Sequence, residues 1–136
     1  MQDLLEMHWQ EIALNKDKIK LNPHWEAYAD LENEDQLRIY TARINGELIG
    51  YFVVIIGANL HYKDHIFGLN DVIFLHPDWR QTHTGAKMIE FAEKCLKREG
   101  VSVLHINTKV HQPFDGLMDF LGYNVVERVY SKWIGE

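Results

Sequence analysis

The fold is decided by LHPDWRQTHTGA, residues 75–86, which leaves a predicted strand, turns sharply and opens a predicted helix. The strand spans Ile66–Leu75 and the helix spans Thr84–Glu99. Spacing of i, i+3, i+4 and i+7 predicts that one face of this helix is buried. The apolar residues on that face are Met88, Ile89, Ala92, Cys95 and Leu96.

The turn itself has the features of a phosphate site. A helix N-terminus presents unpaired N–H groups and the positive end of the helix dipole. Arg80 adds a positive charge, and the small residues Gly85 and Ala86 let a ligand approach the backbone. A helix that is merely capped by Thr82 or Thr84 would show a similar pattern, so the turn alone leaves both interpretations open.

Further strands lie on both sides of this unit. Leu37–Ile44 and Leu48–Ile56 are joined by Asn45-Gly46, a strong signal for a β-hairpin. Val101–Thr108 follows the helix, and two strands joined by such a helix are normally parallel. The sheet is therefore expected to be mixed.

Helices and strands are also predicted at both ends of the chain. An N-terminal helix covers Leu4–Leu14, and a second covers His24–Glu32 with Asn22 as its N-cap. A short helix spans Pro113–Leu121, and Tyr123–Ile134 is expected to contain one or two strands. The pattern predicts an α+β (α/β) fold with a sheet covered by helices, in a single domain over residues 1–136.

Composition excludes several classes of protein. Among 136 residues, 20 acids and 14 bases give a net charge of −6, which disfavours nucleic acid and favours a cationic partner. The apolar stretch Tyr51–Ile56 is too short to span a membrane, and the N-terminus lacks the basic residues of a signal peptide. The single cysteine, Cys95, gives no disulfide. We therefore expect a cytoplasmic protein; a homodimer stays open.

From the turn outward, the sequence resembles the GNAT family of acetyl-coenzyme A-dependent N-acetyltransferases. The family signature R/Q-x-x-G-x-G/A follows a strand ending like L-x-V-H-P-x-W/Y, and here Arg80 takes the basic position and Gly85 the second glycine. His83 replaces the first glycine. Phe120-Leu121-Gly122-Tyr123 is similar to the family's F-Y-x-x-L-G-F. The resemblance implies a GNAT-like domain with a splayed sheet and acetyl-CoA as cofactor.

The resemblance also implies which residues hold coenzyme A. The backbone of Ile73 and Leu75 would pair with the pantetheine arm, the turn would hold the pyrophosphate, and Asn107 would contact the pantetheine from the next strand. The predicted cofactor-binding residues are Ile73, Leu75, Arg80, Gln81, Thr82, His83, Thr84, Gly85, Ala86 and Asn107.

Asp71 is the first candidate for a general base. Strand alternation places it in an apolar row with Phe67, Leu69, Ile73 and Leu75. A strand bulge, common in the family, would bring Asn70 to the site instead. Asp71 could equally reach solvent or cap a neighbouring loop.

His65 is the second candidate base, in a polar loop with His61 and Asp64. Because this segment reads as loop and strand rather than helix, no metal site is predicted. The tyrosine that protonates the leaving thiolate in many family members is replaced here by Met118. Tyr130 or a water molecule is left as the proton donor.

Two functions remain after the sequence alone. The first is an acetyl-CoA-dependent N-acetyltransferase that acts on a primary amine, either a small cationic amine or a protein amine. The second is a catalytically weak GNAT-fold protein that binds a macromolecular partner. The acidic segment 23–35 and Asp71 favour the enzyme, whereas His83 and Met118 favour the binding protein.

Overall fold

The computed structural model describes residues 2–12, 20–109 and 113–136. Four helices and four strands occupy these ranges, with a short 3-10 turn at Pro77–Trp79. In chain order they are α1 (Gln2–Ile12), α2 (Trp25–Asn33), β1 (Leu37–Ile44), β2 (Glu47–Asn59), β3 (Tyr62–Leu75), α3 (Thr84–Arg98), β4 (Val101–His105) and α4 (Asp115–Phe120). No helix in the described ranges has the length and apolar character needed to cross a membrane.

The four strands form one mixed sheet in the order β1-β2-β3-β4. β2 pairs antiparallel with both β1 and β3, and β4 runs parallel to β3. Asn45 and Gly46 turn the first hairpin with φ values of 51° and 82°, both in the left-handed region. This is the backbone that a two-residue hairpin needs, so the Asn-Gly signal and the mixed sheet are confirmed.

A separate apolar cluster covers each face of the sheet. On one face, α3 packs its stripe against β2, with Ile89 and Ala92 fully buried and Met118 of α4 closing the cluster. On the other face, α1 places Leu4 against Tyr51, Val53 and Phe74. Cys95 is partly buried against the α3 cluster.

A bulge interrupts β3 at Asp71. Val53 pairs with Val72, but the next residue of β2, Val54, pairs with Asn70, so Asp71 has no partner in the register. A bulge shifts the alternation of side chains along a strand. Gly68, before the bulge, and Ile73, after it, both face the α3 cluster, whereas Val72 packs with the α1 cluster. Phe67 and Leu69, the neighbours of Gly68, therefore lie on the opposite face from Ile73. The predicted row through Phe67, Leu69, Asp71, Ile73 and Leu75 is therefore wrong.

Boundaries of several elements differ from the predictions. The N-cap of α2 is His24, whose Nδ1 accepts a hydrogen bond from the Ala27 amide at 3.0 Å, and not Asn22. The polar stretch 59–64 is mostly strand, because β2 and β3 extend as a long hairpin to a turn at 60–61. Residues 13 and 14 of the predicted first helix lie outside the described ranges.

The terminal strands expected within Tyr123–Ile134 do not form. Residues 121–136 contain no strand, and Val125, Tyr130 and Ile134 are 87%, 89% and 88% exposed. Strand propensity reflects packing against cross-strand neighbours. A strand-like composition without such a neighbour leaves the segment irregular.

Candidate active site

The candidate site begins where β3 and β4 separate. Their pairing ends at Leu69 and His105, although β3 continues to Leu75. Asn70, 9% exposed, spans the opening: its side chain accepts a hydrogen bond from the Asn107 amide at 2.8 Å and donates one to the Asn107 carbonyl at 3.4 Å. These two bonds fix the separation of the strands where they diverge. We call the V-shaped opening between them the wedge.

A cavity of about 440 Å³ lies in this wedge. Its walls come from α1, β3, the turn before α3, α3 and the region of α4. Its lining residues include His8, Glu11, Asn70, Asp71, Ile73, Leu75, Arg80, Thr82, Gly85 and Asn107. One cavity thus joins the turn that has the features of a phosphate-binding site to the Asp71 carboxylate.

Strand β3 presents backbone groups to this cavity. The Leu75 carbonyl accepts a hydrogen bond from Arg80 Nε at 2.7 Å, so it points away from β2. In a strand the N–H and C=O of one residue share a side, and alternate residues point the same way. Ile73 therefore directs its N–H and C=O into the wedge, where an extended ligand can pair with them.

The turn places a helix N-terminus at one end of the cavity. The Thr82 hydroxyl accepts a hydrogen bond from the Thr84 amide at 3.2 Å. The N-cap of α3 is His83, so the alternative of an N-cap at Thr82 or Thr84 is wrong. The first intrahelical bond of α3 comes from the Lys87 amide. The amides of Gly85 and Ala86 precede it, and the first turn of a helix offers them no intrahelical acceptor.

Arg80 brings positive charge to the same end. Its guanidinium lies 5.2 Å from the centre of the Phe74 ring and forms an ion pair with Glu11 of α1, with Nη2 to Oε2 at 2.9 Å. The Arg80 side chain is 36% exposed, so an anion can reach it. Lys109 lines the same cavity and adds a second cation.

Asp71 supplies negative charge at the other end. Its carboxylate is exposed and accepts a hydrogen bond from the Tyr28 hydroxyl of α2 at 2.5 Å. Burial and this hydrogen bond raise the pKa of Tyr28 to about 12, so the phenol stays protonated. The arrangement offers a fixed carboxylate that can attract an ammonium group and take its proton.

His8 is a site residue that the sequence did not reveal. It is 8% exposed, packs against Tyr51 and Phe74, and lines the cavity. Burial lowers the pKa of His8, Glu11 opposes this effect, and the positive charges of Arg80 and Lys109 add to it. The imidazole is therefore neutral at pH 7.

Acidification should destabilise the fold through His8. Because its folded pKa lies below 6.5, the unfolded chain binds the proton more readily as the pH falls through 6.5. We expect the melting temperature to drop between pH 7.5 and 5.5, and to drop less in His8→Gln. Thermal melts between pH 7.5 and 5.5 measure this drop, with His61→Gln as the control because His61 is exposed. An equal change of melting temperature with pH in the two variants would contradict the expectation.

The other candidates lie in different places. His65 is exposed on β3 and its Nδ1 contacts the Ser102 hydroxyl at 3.1 Å, outside the residues that line the cavity. Tyr130 is 89% exposed in the irregular segment, and Met118 is buried in the α3 cluster. Gln81 and His83 are exposed on the turn, and His83 is the N-cap of α3 without a side-chain cap bond.

Comparison with solved structures finds the same fold. The aminoglycoside acetyltransferase meta-AAC0020 from an uncultured soil metagenomic sample, in complex with sisomicin, matches 99% of this chain and 85% of its own at 14% identity, with a TM-score of 0.72. Ribosomal-protein-alanine N-acetyltransferase from Brucella melitensis biovar Abortus 2308 matches 97% and 89% at 19% identity, with a TM-score of 0.69.

A further similar structure is AAC(6')-Iy in complex with the bisubstrate analog CoA-S-monomethyl-acetylneamine, which matches 93% of this chain and 89% of its own at 20% identity, with a TM-score of 0.66. Among curated protein sequences no match is found. The family model described as "Acetyltransferase (GNAT) family" matches residues 1–116. Since this match covers most of the chain and includes the turn and the wedge, the chain belongs to the GNAT family of acetyltransferases.

Proposed function

We propose that this acetyltransferase moves an acetyl group from acetyl-CoA to a primary amine, either a small cationic amine or a protein amine. One observation carries the proposal. A single cavity joins a cationic helix N-terminus, an open strand edge and an exposed carboxylate, at Arg80, Ile73 and Asp71. These three features match the charges and shape of a phosphate, an extended amide-bearing arm and an ammonium group.

The residues present fit coenzyme A along the whole wedge. Arg80 and the amides of Gly85 and Ala86 would hold the pyrophosphate by charge-assisted hydrogen bonds. Ile73 would pair with the amides of the pantetheine arm, while Leu117 of α4 gives the cavity an apolar wall. When bound, acetyl-CoA supplies the acetyl group as an activated thioester.

Asp71 would receive the acceptor amine. Its carboxylate attracts the ammonium form and takes its proton, which leaves the nitrogen lone pair free for attack. Tyr28 fixes the carboxylate by donating to it. Since Met118 occupies the position of the family's usual acid and Tyr130 lies outside the cavity, water is the proton donor to the departing thiolate in this proposal.

Two measurements test the proposed function. Calorimetry with acetyl-CoA and coenzyme A should show binding, and a thiol-release assay over a panel of amines should identify acceptors that are turned over. The panel includes polyamines, aminoglycosides, lysine and peptides with free N-termini. Binding without turnover of any amine would favour the non-catalytic binding protein, and absence of binding would reject the cofactor assignment.

Glu11 should weaken cofactor binding, because its carboxylate forms an ion pair with Arg80, the cation that a phosphate would use. Glu11→Gln removes the negative charge and frees Arg80, so coenzyme A affinity should rise by up to about fivefold, the range of a partly exposed ion pair. Calorimetry measures the change. Glu6→Gln on the exposed face of α1 is the matched control and should leave affinity unchanged. Weaker binding in Glu11→Gln would show instead that Glu11 orients Arg80.

A further inference from the structure

His8 is a buried polar side chain to which no described residue forms a hydrogen bond. It is 8% exposed, and the centre of its ring lies 5.3 Å from that of Phe74 and 6.3 Å from that of Tyr51. Leaving a buried polar group unpaired costs free energy, and native structures nearly always pair it. Because His8 lines the cavity of the candidate active site, a ligand in this cavity can supply the missing partner.

The charges around His8 indicate the kind of ligand. Among the described charged groups that act on the imidazole, Arg80 and Lys109 are cations that disfavour its protonation, and Glu11, one turn along α1, is an anion that favours it. Tyr51, which packs against the ring from β2, stays uncharged because burial raises the pKa of its phenol. Positive charge is therefore in excess beside His8. This excess favours an anion, and a phosphate oxygen is a strong acceptor for an imidazole N–H.

We propose that His8 is a further ligand of the coenzyme A pyrophosphate, and that its neutral imidazole takes up a proton from solvent when the phosphates bind. This role rests on the proposed cofactor. A pyrophosphate beside Arg80 would neutralise a cation that disfavours the proton on His8. It would also compete with Glu11 for Arg80, so that the Glu11 carboxylate becomes free to stabilise the imidazolium. The imidazolium donates from both nitrogens, whereas the neutral ring donates from one.

The pH dependence of cofactor binding follows from this proton. In the free chain burial lowers the pKa of His8, Glu11 opposes this effect, and Arg80 and Lys109 add to it. A bound anion raises this pKa. Binding takes up a proton between the two pKa values, so affinity rises as the pH falls through the bound value and levels off below the free value. A rise of one pKa unit on binding corresponds to a factor of about ten in affinity.

Calorimetry in buffers of different ionisation enthalpy measures this proton. With coenzyme A at pH 7, the native chain should take up more protons on binding than His8→Gln does. The histidines of the turn, His76 and His83, and the phosphates of the ligand are common to both chains, so the difference belongs to His8. His61→Gln is the matched control, because His61 is exposed at the turn between β2 and β3, and it should take up as much as the native chain. Equal uptake by the native chain and His8→Gln would overturn the proposal.

The affinity at two pH values gives a second measurement. The gain in coenzyme A affinity between pH 8 and pH 6 should be up to about tenfold larger in the native chain than in His8→Gln. Glutamine keeps a neutral N–H donor but cannot gain a proton, so the variant reports what the ligand and the other groups contribute. An identical gain in the two chains would overturn the role of His8.

The native chain also allows a test that needs no variant. The ring signals of His8 in an NMR titration should move to a higher pKa when coenzyme A is bound. Binding of coenzyme A with an unchanged pKa of His8 would overturn this role alone and leave the cofactor assignment standing. Absence of coenzyme A binding to the native chain would reject the cofactor itself and this role with it.

Discussion

Asp71→Asn is expected to lower kcat/KM for the amine acceptor by about 10²–10⁴-fold, the usual contribution of general-base catalysis, without changing coenzyme A affinity. Asparagine keeps the size of the side chain and can still accept the hydrogen bond from Tyr28, which in the native chain is 2.5 Å long. It cannot attract an ammonium group by charge or take its proton. Steady-state kinetics with the acceptor found in the amine panel measure the fall, and calorimetry measures the unchanged cofactor affinity.

Three further variants locate the effect. Asp64→Asn removes a carboxylate from the exposed start of β3 and should not alter the rate. Tyr28→Phe keeps the carboxylate but removes its donor, so the rate should fall by about tenfold, the lower end of the range for one hydrogen bond to a charged group. His65→Gln tests the competing base. If it abolishes turnover while Asp71→Asn does not, the base is misassigned.

Arg80→Glu is expected to weaken coenzyme A binding by about 10–100-fold, which corresponds to about 1.5–3 kcal/mol for a hydrogen bond to a charged group. The substitution removes the cation at the helix N-terminus and leaves two carboxylates there, since Glu11 lies 2.9 Å from Arg80. Both carboxylates would repel a pyrophosphate. Calorimetry with coenzyme A measures the loss.

Arg43→Glu is the control for the change in net charge. Arg43 is exposed beside the first hairpin, where its Nη1 donates to the Gly46 carbonyl at 3.3 Å, far along the sheet from the turn. It makes the same change of charge and should leave affinity intact. Equal affinity of native chain and Arg80→Glu would show that the phosphates do not bind at this turn.

Local signals predicted most of the scaffold. Asn45-Gly46 set the first hairpin because only a few residues adopt two successive left-handed conformations. The apolar stripe on α3 predicted both the helix and its buried face, since Met88, Ile89, Ala92 and Leu96 are buried and Cys95 is partly buried. The family resemblance then predicted that β3 and β4 would separate.

Tertiary contacts determined what the sequence did not reveal. Tyr28 meets Asp71 across 43 residues of chain, and Glu11 meets Arg80 across 69. The periodicity of a short stretch of sequence cannot predict pairs that lie so far apart along the chain. The family resemblance raised a bulge in β3 as an alternative, but its place at Asp71 depends on the register against β2 and follows from no local pattern. A signal did exist for α1: His8 and Glu11 are three residues apart and thus share a helix face.

The two hydrogen bonds between Asn70 and Asn107 bear on how fast a ligand can enter. The chain's own groups make both bonds, so the separation of the two strands is fixed on folding, and the entropy of arranging these strands is lost then and not during association. Such preorganisation strengthens binding by reducing the conformational entropy that is lost when the ligand binds. Association should therefore be a single step governed by diffusion and orientation, with no slow opening of the sheet before it.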